Sequence, residues 1–399
     1  MKAAFVVQRY GEEVDGGAEF HCRLIAERLA KYIDVEVLTT CAVDYTTWKN
    51  HYDKGFGFVN KIPVRRFPVD KERDPVRFGR KQFQVFSGAH SAKDELEWMK
   101  LQGPYAPSLV KYIHQNKGTY DWFVFFSYRY YTSYHGIREV PDKAILVPTA
   151  EKDESIKLSI FKEMFNLPRG IMYNSFEEQN LIRSFTDNQS VPGVVVGTGI
   201  HQPESASPDR FCKTHGIKGP FILYVGRIDR NKGCLELFEN HFRFVQSSGI
   251  AVPLVLIGSK NLEVPSHPEI HNLGFLPEQD KHDALASATL LVMPSTYESL
   301  SMVTLEAWAA GLPVLVNGHC EVLKGQVLRS NGGLYYTGYD EFHEALKLLL
   351  ENSRLRYLLA RKGKEYFQKN YSWNVIEDKY LNMLGTTREE MHQGEEKPE

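Results

Sequence analysis

The sequence has no CxxC pair. Its five cysteines, Cys22, Cys41, Cys212, Cys234 and Cys320, are odd in number and scattered. That pattern argues against a zinc ribbon or a disulfide framework and fits reduced thiols in a cytosol. Its 14 histidines form no HExxH, no D-x-D triplet occurs, and no carboxylate cluster has divalent-ion spacing, so no metal and no cofactor is expected. No apolar run reaches the roughly 18 residues that span a bilayer. The apolar stretch Ala3–Val7 is ended by Gln8 and Arg9, too early for a signal-peptide core. Charge of one sign is also missing. With 48 Lys and Arg against 50 Asp and Glu, the formal net charge is -2. The whole chain is therefore no general polyanion binder, a nucleic acid is not expected as partner, and any anion must be met locally. Asn188-Gln189-Ser190 matches a glycosylation sequon, which carries no weight without secretion.

What remains is an ordinary globular composition, 42% apolar and 25% charged over 399 residues, a length that suggests two domains with real cores. Ala3–Val7 reads as a buried strand, followed by a loop with glycines at 11, 16 and 17. In the next segment Ala18, Cys22, Ile25, Ala26 and Leu29 share one helical face. Val35–Leu38 follows as a strand, completing a parallel βαβ unit. Residues 45–105 lack regular periodicity and read as an insertion over the first sheet. Strands resume at Trp122–Phe126, Ala144–Val147, Ile171–Tyr173 and Val194–Val196. A second series has strands at Phe221–Val225, Leu254–Ile257, Leu290–Met293 and Pro313–Val316. Two βα series joined near Gly197-Thr198-Gly199 predict an α/β protein of two doubly wound, Rossmann-like domains with a cleft between them.

The strongest chemical signal is Pro294-Ser295-Thr296-Tyr297-Glu298-Ser299-Leu300-Ser301-Met302-Val303-Thr304-Leu305-Glu306. A buried strand ends at Pro294. A helix starts at Ser301, a good N-cap, and stops by Gly311, a good C′ residue. The free N–H groups of such a helix start form an anion site suited to a diphosphate. Glu306, one to two turns in, can accept from ribose hydroxyls, and Glu298 can reach a sugar beyond the phosphates. Two glutamates at this spacing are ordinarily solvated surface, and the strand-end context is what favours a site. The second signal, Gly226-Arg227-Ile228-Asp229-Arg230-Asn231-Lys232-Gly233, also follows a buried strand. Arg227 offers a planar fork and Lys232 a mobile charge, which together can neutralise a leaving diphosphate. The loop Gly11–Gly17 lacks GxGxxG spacing, and so do the residues around Gly197-Thr198-Gly199, so neither is a dinucleotide fingerprint.

With Gly16-Gly17-Ala18-Glu19, Gly226-Arg227 with Lys232-Gly233, and the E-x7-E pair Glu298 and Glu306 in that order, the chain resembles glycosyltransferase family 4 over nearly its whole length. This is a retaining group with the GT-B fold. The resemblance implies that Gly16 and Gly17 lie against the donor across the cleft, and that Arg227 and Lys232, after Gly226, hold the diphosphate. It further implies that Glu298 touches the donor sugar, that Met302 and Val303, after Leu300 and Ser301, give N–H groups to phosphate, and that Glu306 holds the ribose. Gly274-Phe275-Leu276 resembles the segment that pairs with the base. Two departures stand out. Ser301 occupies a usual glycine position, where its side chain would reshape the sugar pocket. Glu151 stands where many relatives carry a histidine, and reads either as a substitute contacting the donor sugar or as a loop carboxylate.

The two βα series with the resemblance imply an acceptor-side domain over 1–197, a nucleotide-sugar domain over 198–372 and a helix at 373–385 packing back on the first domain; 386–399 lack apolar periodicity and read as a disordered tail. The expected activity is transfer of a sugar, retaining its anomeric configuration, from a nucleoside-diphosphate sugar (UDP-glucose first) to a glycan or lipid-linked saccharide, in polysaccharide biosynthesis in the cytoplasm. The catalytic candidates are Glu298, Arg227, Lys232 and Glu151. The alternatives are another GT-B enzyme, an epimerase or a phosphorylase, or a non-catalytic nucleotide-sugar-binding protein. On the acceptor side, Lys61–Lys81 is locally basic with interleaved apolar residues. It reads either as a peripheral contact at the cytoplasmic membrane face or as a solvated loop. Tyr128, Arg129, Tyr130, Tyr131 and Tyr134 either line a saccharide groove or belong to the core.

Overall fold

The computed structural model describes residues 1–14, 16–201 and 205–386. The chain divides into two compact units, Met1–Thr198 with the residues from Ile376 onward, and Gly199–Val375. Most of the expected tail, from 387 on, lies outside the described residues.

Unit 1 begins with β1 (Lys2–Val6), α1 (Gly17–Leu29), β2 (Asp34–Thr40), β3 (Gly55–Val59) and β4 (Ile62–Phe67). Three helices follow, α2 (Pro75–Ser87), α3 (Ala92–Gln102) and α4 (Pro107–Gln115). The rest is β5 (Trp122–Phe126), α5 (Tyr131–Glu139), β6 (Ala144–Val147), α6 (Ser159–Met164), β7 (Gly170–Tyr173), α7 (Phe176–Thr186) and β8 (Gly193–Val195). The sheet order is β3-β4-β2-β1-β5-β6-β7-β8, parallel except for β3. The central strands are buried on both faces, which is why they read as unbroken apolar runs.

Residues 45–105 are not simply an insertion over the sheet: β4 pairs parallel with β2 and β3 pairs antiparallel with β4. Asn60 and Lys61, both at positive φ, make the two-residue hairpin turn. The segment hid its strands because Pro63, Arg65 and Arg66 interrupt the apolar pattern. Arg65 donates to Glu36 at 3.0 Å and Arg66 to the Tyr10 carbonyl at 3.0 Å. Part of the basic excess of 61–81 is thus internal bracing.

Unit 2 contains α8 (Pro208–His215), β9 (Ile222–Val225), α9 (Cys234–Ser248), β10 (Leu254–Ile257), β11 (Ile270–Asn272), α10 (Glu278–Ser287) and β12 (Leu290–Met293). It continues with α11 (Met302–Ala310), β13 (Val314–Asn317), α12 (Glu321–Ser330), β14 (Gly333–Tyr336), α13 (Tyr339–Glu351) and α14 (Ser353–Tyr371). Its sheet runs β11-β10-β9-β12-β13-β14, with every pairing parallel. Strand order reverses at β9 and β12, which are neighbours, so the crevice beyond their C-terminal ends is the switch point where open α/β sheets bind ligands.

The last helix, α15 (Trp373–Met383), joins unit 1 from Ile376 on. Ile376, Tyr380 and Leu381 are fully buried, the Tyr32 hydroxyl meets Glu377 at 3.1 Å, and Trp122 Nε1 donates to the Leu384 carbonyl at 3.0 Å. Tyr380 also meets His21 of α1, hydroxyl to Nε2 at 3.3 Å. Burial pushes His21 down to about 4, against a backbone hydrogen bond at Gly197. The folded chain keeps this ring neutral while the unfolded chain protonates it near pH 6.5. Stability is therefore lost as pH falls from about 6.5 to 4, by on the order of 2–3 kcal/mol for this group. Thermal melts over that window should show a shallower acid slope in His21→Gln than in the parent chain. Equal slopes would contradict the assignment.

Asn188 is fully buried, so the sequon offers no acceptor nitrogen. Tyr128 and Tyr134 are buried too, their rings 4.7 and 6.1 Å from Phe161. They are core aromatics, and the saccharide-groove reading does not hold for either. Among the described residues no helix is long and apolar enough to cross a membrane.

Candidate active site

Two loops leave the switch-point strands of unit 2. After β9, Gly226 takes φ +149 and Gly233 takes φ +73, a region that side-chain-bearing residues avoid. At Gly233 there is a second constraint: a Cβ there would sit 2.2 Å from the Pro294 carbonyl oxygen. Glycine lets the start of α9 press against the end of β12, bringing the loop of Arg227 and Lys232 to that of Glu298. Asp229 shapes the first loop by accepting the Lys232 N–H at 2.8 Å and pairing with Arg227 Nε. The Lys232 ammonium then reaches across to Glu298 Oε1 at 2.7 Å.

In the second loop, Asn317 on β13 donates to the Pro294 carbonyl at 3.0 Å and fixes the strand end. Ser301 caps α11: its Oγ accepts from the Thr304 N–H at 3.3 Å and from the Thr304 hydroxyl at 2.9 Å. The side chain turns into the helix because an N-cap oxygen there satisfies an orphan N–H. The N–H groups of Met302 and Val303 belong to the same first turn, where the helix itself offers no acceptor. Trp308 anchors α11 from below, fully buried, with Nε1 donating to the Gly332 carbonyl at 2.9 Å.

Glu306 sits on the buried side of α11, only 7% exposed. Its Oε1 accepts from Lys281 Nζ of α10 at 2.9 Å. Its Oε2 is buried and takes no hydrogen bond from the described residues, a condition that costs about 1–3 kcal/mol until a donor arrives. Burial pushes the Glu306 carboxyl up, and the Lys281 charge opposes that rise. Ser295 Oγ, just after Pro294, is likewise buried without a partner among the described residues. Gly274 stands at positive φ beside β10, its carbonyl accepting the Gly258 N–H at 2.8 Å. Phe275 next to it is 71% exposed, and Leu276 and Leu300 are half-buried. Unit 2 thus gathers at one sheet edge the three cations Arg227, Lys232 and Lys281, a helix start, and the two carboxylates Glu298 and Glu306, each held by a lysine. Lys281, Asp229 and Asn317 lie outside the sequence candidates: Asp229 belongs to the Gly226–Gly233 loop, whereas Lys281 and Asn317 carry no local signal.

The remaining sequence candidates lie at the C-terminal edge of the unit 1 sheet. A Cβ on Gly16 would meet Glu19 Oε2 at 2.3 Å, the carboxylate that pairs with the buried Arg9 at 2.7 Å. A Cβ on Gly17 would meet nothing within 4 Å. Glu151 lies 3.7 Å from Arg129, whose closer partner is Asp153 at 2.9 Å. The preceding Ala150 N–H is held by the buried Glu178 at 2.5 Å. Ser127 and Thr149, at the ends of adjacent β5 and β6, both take left-handed φ, +66 and +49, and their hydroxyls meet at 2.6 Å. Such conformations are costly for non-glycine residues and cluster at functional sites.

Residues 208–366 match the family model described as Glycosyl transferases group 1. The match lies within unit 2 and covers under half of the chain. Among curated proteins, an uncharacterized glycosyltransferase of Methanocaldococcus jannaschii is 27% identical over 183 residues, 43% of this chain and 46% of that protein. The phosphatidyl-myo-inositol mannosyltransferase of Propionibacterium freudenreichii is 27% identical over 46% of this chain and 48% of its own. The chain spans about half the length of the curated relatives it matches. Among solved structures, sucrose-phosphate synthase from Thermosynechococcus elongatus superposes with a TM-score of 0.69 at 16% identity, covering 96% of this chain and 98% of that one. A glycosyltransferase involved in lipopolysaccharide biosynthesis gives 0.65 at 16%, covering 96% and 100%. The Anabaena HepE protein, solved with UDP and glucose, gives 0.68 at 15%, covering 96% and 99%. The fold is GT-B.

Proposed function

We propose that the chain is a retaining glycosyltransferase that takes its sugar from a nucleoside-diphosphate donor, UDP-glucose first among the candidates, and passes it to a glycan or lipid-linked saccharide. The observation that carries this reading is the meeting of the two loops at the β9/β12 switch point, where Lys232 reaches Glu298 at 2.7 Å beside the open first turn of α11. The group 1 match over the same unit supports it. So do the transferase names of the relatives, among them a lipopolysaccharide core glycosyltransferase of Rhizobium meliloti. The UDP-glucose complex of the Anabaena protein supports the donor class.

In this reading the diphosphate takes N–H groups of Met302 and Val303, and Arg227 and Lys232 balance its charge. Glu306 accepts from the ribose, Phe275 and Leu276 flank the base, and Glu298 accepts from the sugar once Lys232 turns to phosphate. As the bond from C1 to the phosphate oxygen breaks, the acceptor oxygen bonds C1 on the same face. The departing phosphate oxygen takes the acceptor proton. Cations and a helix start supply the electrostatic stabilisation, with no metal required. NMR of the product made from UDP-α-glucose tests the stereochemistry: an α-linkage supports the reading, and a β-linkage overturns retention.

Two further elements belong to it. Glu151 acts on the donor sugar, so Glu151→Ala lowers kcat/KM about 100-fold, near 2.7 kcal/mol, with little change in Tm. Near-normal turnover in both Glu151→Ala and Glu151→Gln would make it a loop carboxylate. The proposed membrane contact through 61–81 centres on the exposed start of α2, where Val76 stands out at 63% exposure near Arg77 and Arg80; Phe83, two residues beyond that stretch on the same helix, is 75% exposed. The chain should sediment with vesicles rich in anionic lipid and do so less after Val76→Ser with Phe83→Ser. Equal sedimentation of the two proteins would remove this contact.

A further inference from the structure

Neither E-x7-E carboxylate stands alone, and the partner of Glu306 comes from outside the motif. Lys281 lies on α10, directly after the segment Gly274-Phe275-Leu276. Its side chain is 13% exposed, and its ammonium meets Glu306 Oε1 at 2.9 Å and Glu278 Oε2 at 2.8 Å. Glu278 is a surface residue, 63% exposed, so the buried end of this chain of charges is the Lys281–Glu306 pair. A carboxylate held at one oxygen has one rotational freedom removed, and its second oxygen becomes a fixed acceptor. That second oxygen, Oε2, is the one without a partner among the described residues.

We propose that Lys281 is a positioning residue of the nucleotide site: it holds Glu306 through Oε1 so that Oε2 is left to accept a hydroxyl of the ligand's ribose. The proposal rests on the nucleotide-sugar reading of unit 2 and adds to it a residue of α10. It couples the helix that follows the base segment to the residue that reads the ribose, so base and ribose contacts are set by one rigid element.

The charged groups facing Glu306 are Lys281 and Glu278, both of α10. His282 of the same helix lies 3.8 Å from Glu278, and its ring is 6.3 Å from that of His201. Burial holds His282 below its usual range, which disfavours a charge on its ring. On the other side, α14 meets α11 at Trp308 through Gly363 and Tyr366, which bring no charge. Burial alone would lower Lys281, but Glu306 and Glu278 outweigh it and push its ammonium up. Without that ammonium, burial acts on Glu306 unopposed and raises its carboxyl toward neutrality.

The test is calorimetry on the full chain with UDP and 2′,3′-dideoxy-UDP, or the corresponding GDP or ADP pair if one of those binds instead. The parent chain should favour the ribose form at least about ten-fold, the worth of one hydrogen bond to a charged group. Lys281→Met should bind the dideoxy form as the parent does, which also shows that it is folded, and should lose most of the preference. Lys281→Arg should restore it. In Lys281→Met the affinity for UDP should also fall more steeply than the parent's as pH is lowered, because burial then favours the neutral Glu306 carboxyl while the titration of the UDP phosphate is common to both. If Lys281→Met does not fold, Lys281→Gln reads the same ratio. A variant that keeps the full preference with the parent's pH profile overturns the role of Lys281 and leaves the nucleotide reading standing. A parent chain with no preference for the ribose form, or with no affinity for any of the three nucleotides, overturns the ribose role of Glu306 and the inference with it.

Discussion

Lys232→Ala should lower kcat by about 10²- to 10³-fold with a much smaller change in KM, the loss expected when one preorganised donor to a developing anion is removed. Lys232 is suited to this because of where it is held. Its N–H is fixed by Asp229, its backbone precedes the glycine that lets α9 approach Pro294, and its ammonium already spans to Glu298 at 2.7 Å. In the reaction the ammonium must exchange Glu298 for phosphate oxygens, and that exchange is most favourable when the diphosphate carries its full leaving-group charge. Removing the ammonium also leaves Glu298 without its lysine, so Tm must be followed alongside the kinetics. Arg227→Ala should act in the same direction but less, since its guanidinium is 41% exposed and already committed to Asp229. A raised KM with kcat intact would mean uniform binding of ground and transition states, and the leaving-group role would be wrong.

Glu306→Ala should weaken binding of free UDP about 10- to 100-fold, since a hydrogen bond to a charged group contributes about 1.5–3 kcal/mol. The change removes the acceptor Oε2 and also strands the Lys281 ammonium, 13% exposed, next to Glu278 alone. Glu306→Gln keeps the shape and one acceptor and should fall between. The effect belongs in Kd and not only in turnover, because a ribose is held equally before and during the transfer. Calorimetry with UDP that returns the parent affinity for Glu306→Ala would remove this residue from the site.

The stretch 290–311 was legible because every signal there is local. Leu290–Met293 is a continuous apolar run, Pro294 ends it, Ser301 is an N-cap and Gly311 is a left-handed C-cap. The same holds for β9 and its glycine. What escaped depended on partners distant in sequence. β11 and β14 are short strands at the sheet's two edges, and each becomes a strand only because a neighbour lends its ladder. β3 and β4 carry glycines, a proline and two arginines, whose charges are answered by Glu36 and a main-chain carbonyl. Tyr128 and Tyr134 gave no clue to their burial, which comes from Phe161 on α6. Lys281 is one charge among several in Glu278-Gln279-Asp280-Lys281-His282, and only the fold shows that it alone reaches the buried Glu306.

If unit 2 binds a nucleoside-diphosphate sugar at the β9/β12 switch point, thermal melting of the full chain must respond to UDP-, GDP- or ADP-glucose. A donor present at about 100 times its dissociation constant should stabilise the chain by roughly 2.7 kcal/mol, a shift of several degrees; with binding weakened about 10- to 100-fold, Glu306→Ala should keep only about 0.4–1.4 kcal/mol of it at the same concentration. A melting temperature unmoved by all three donors, or moved equally in Glu306→Ala, would contradict the account.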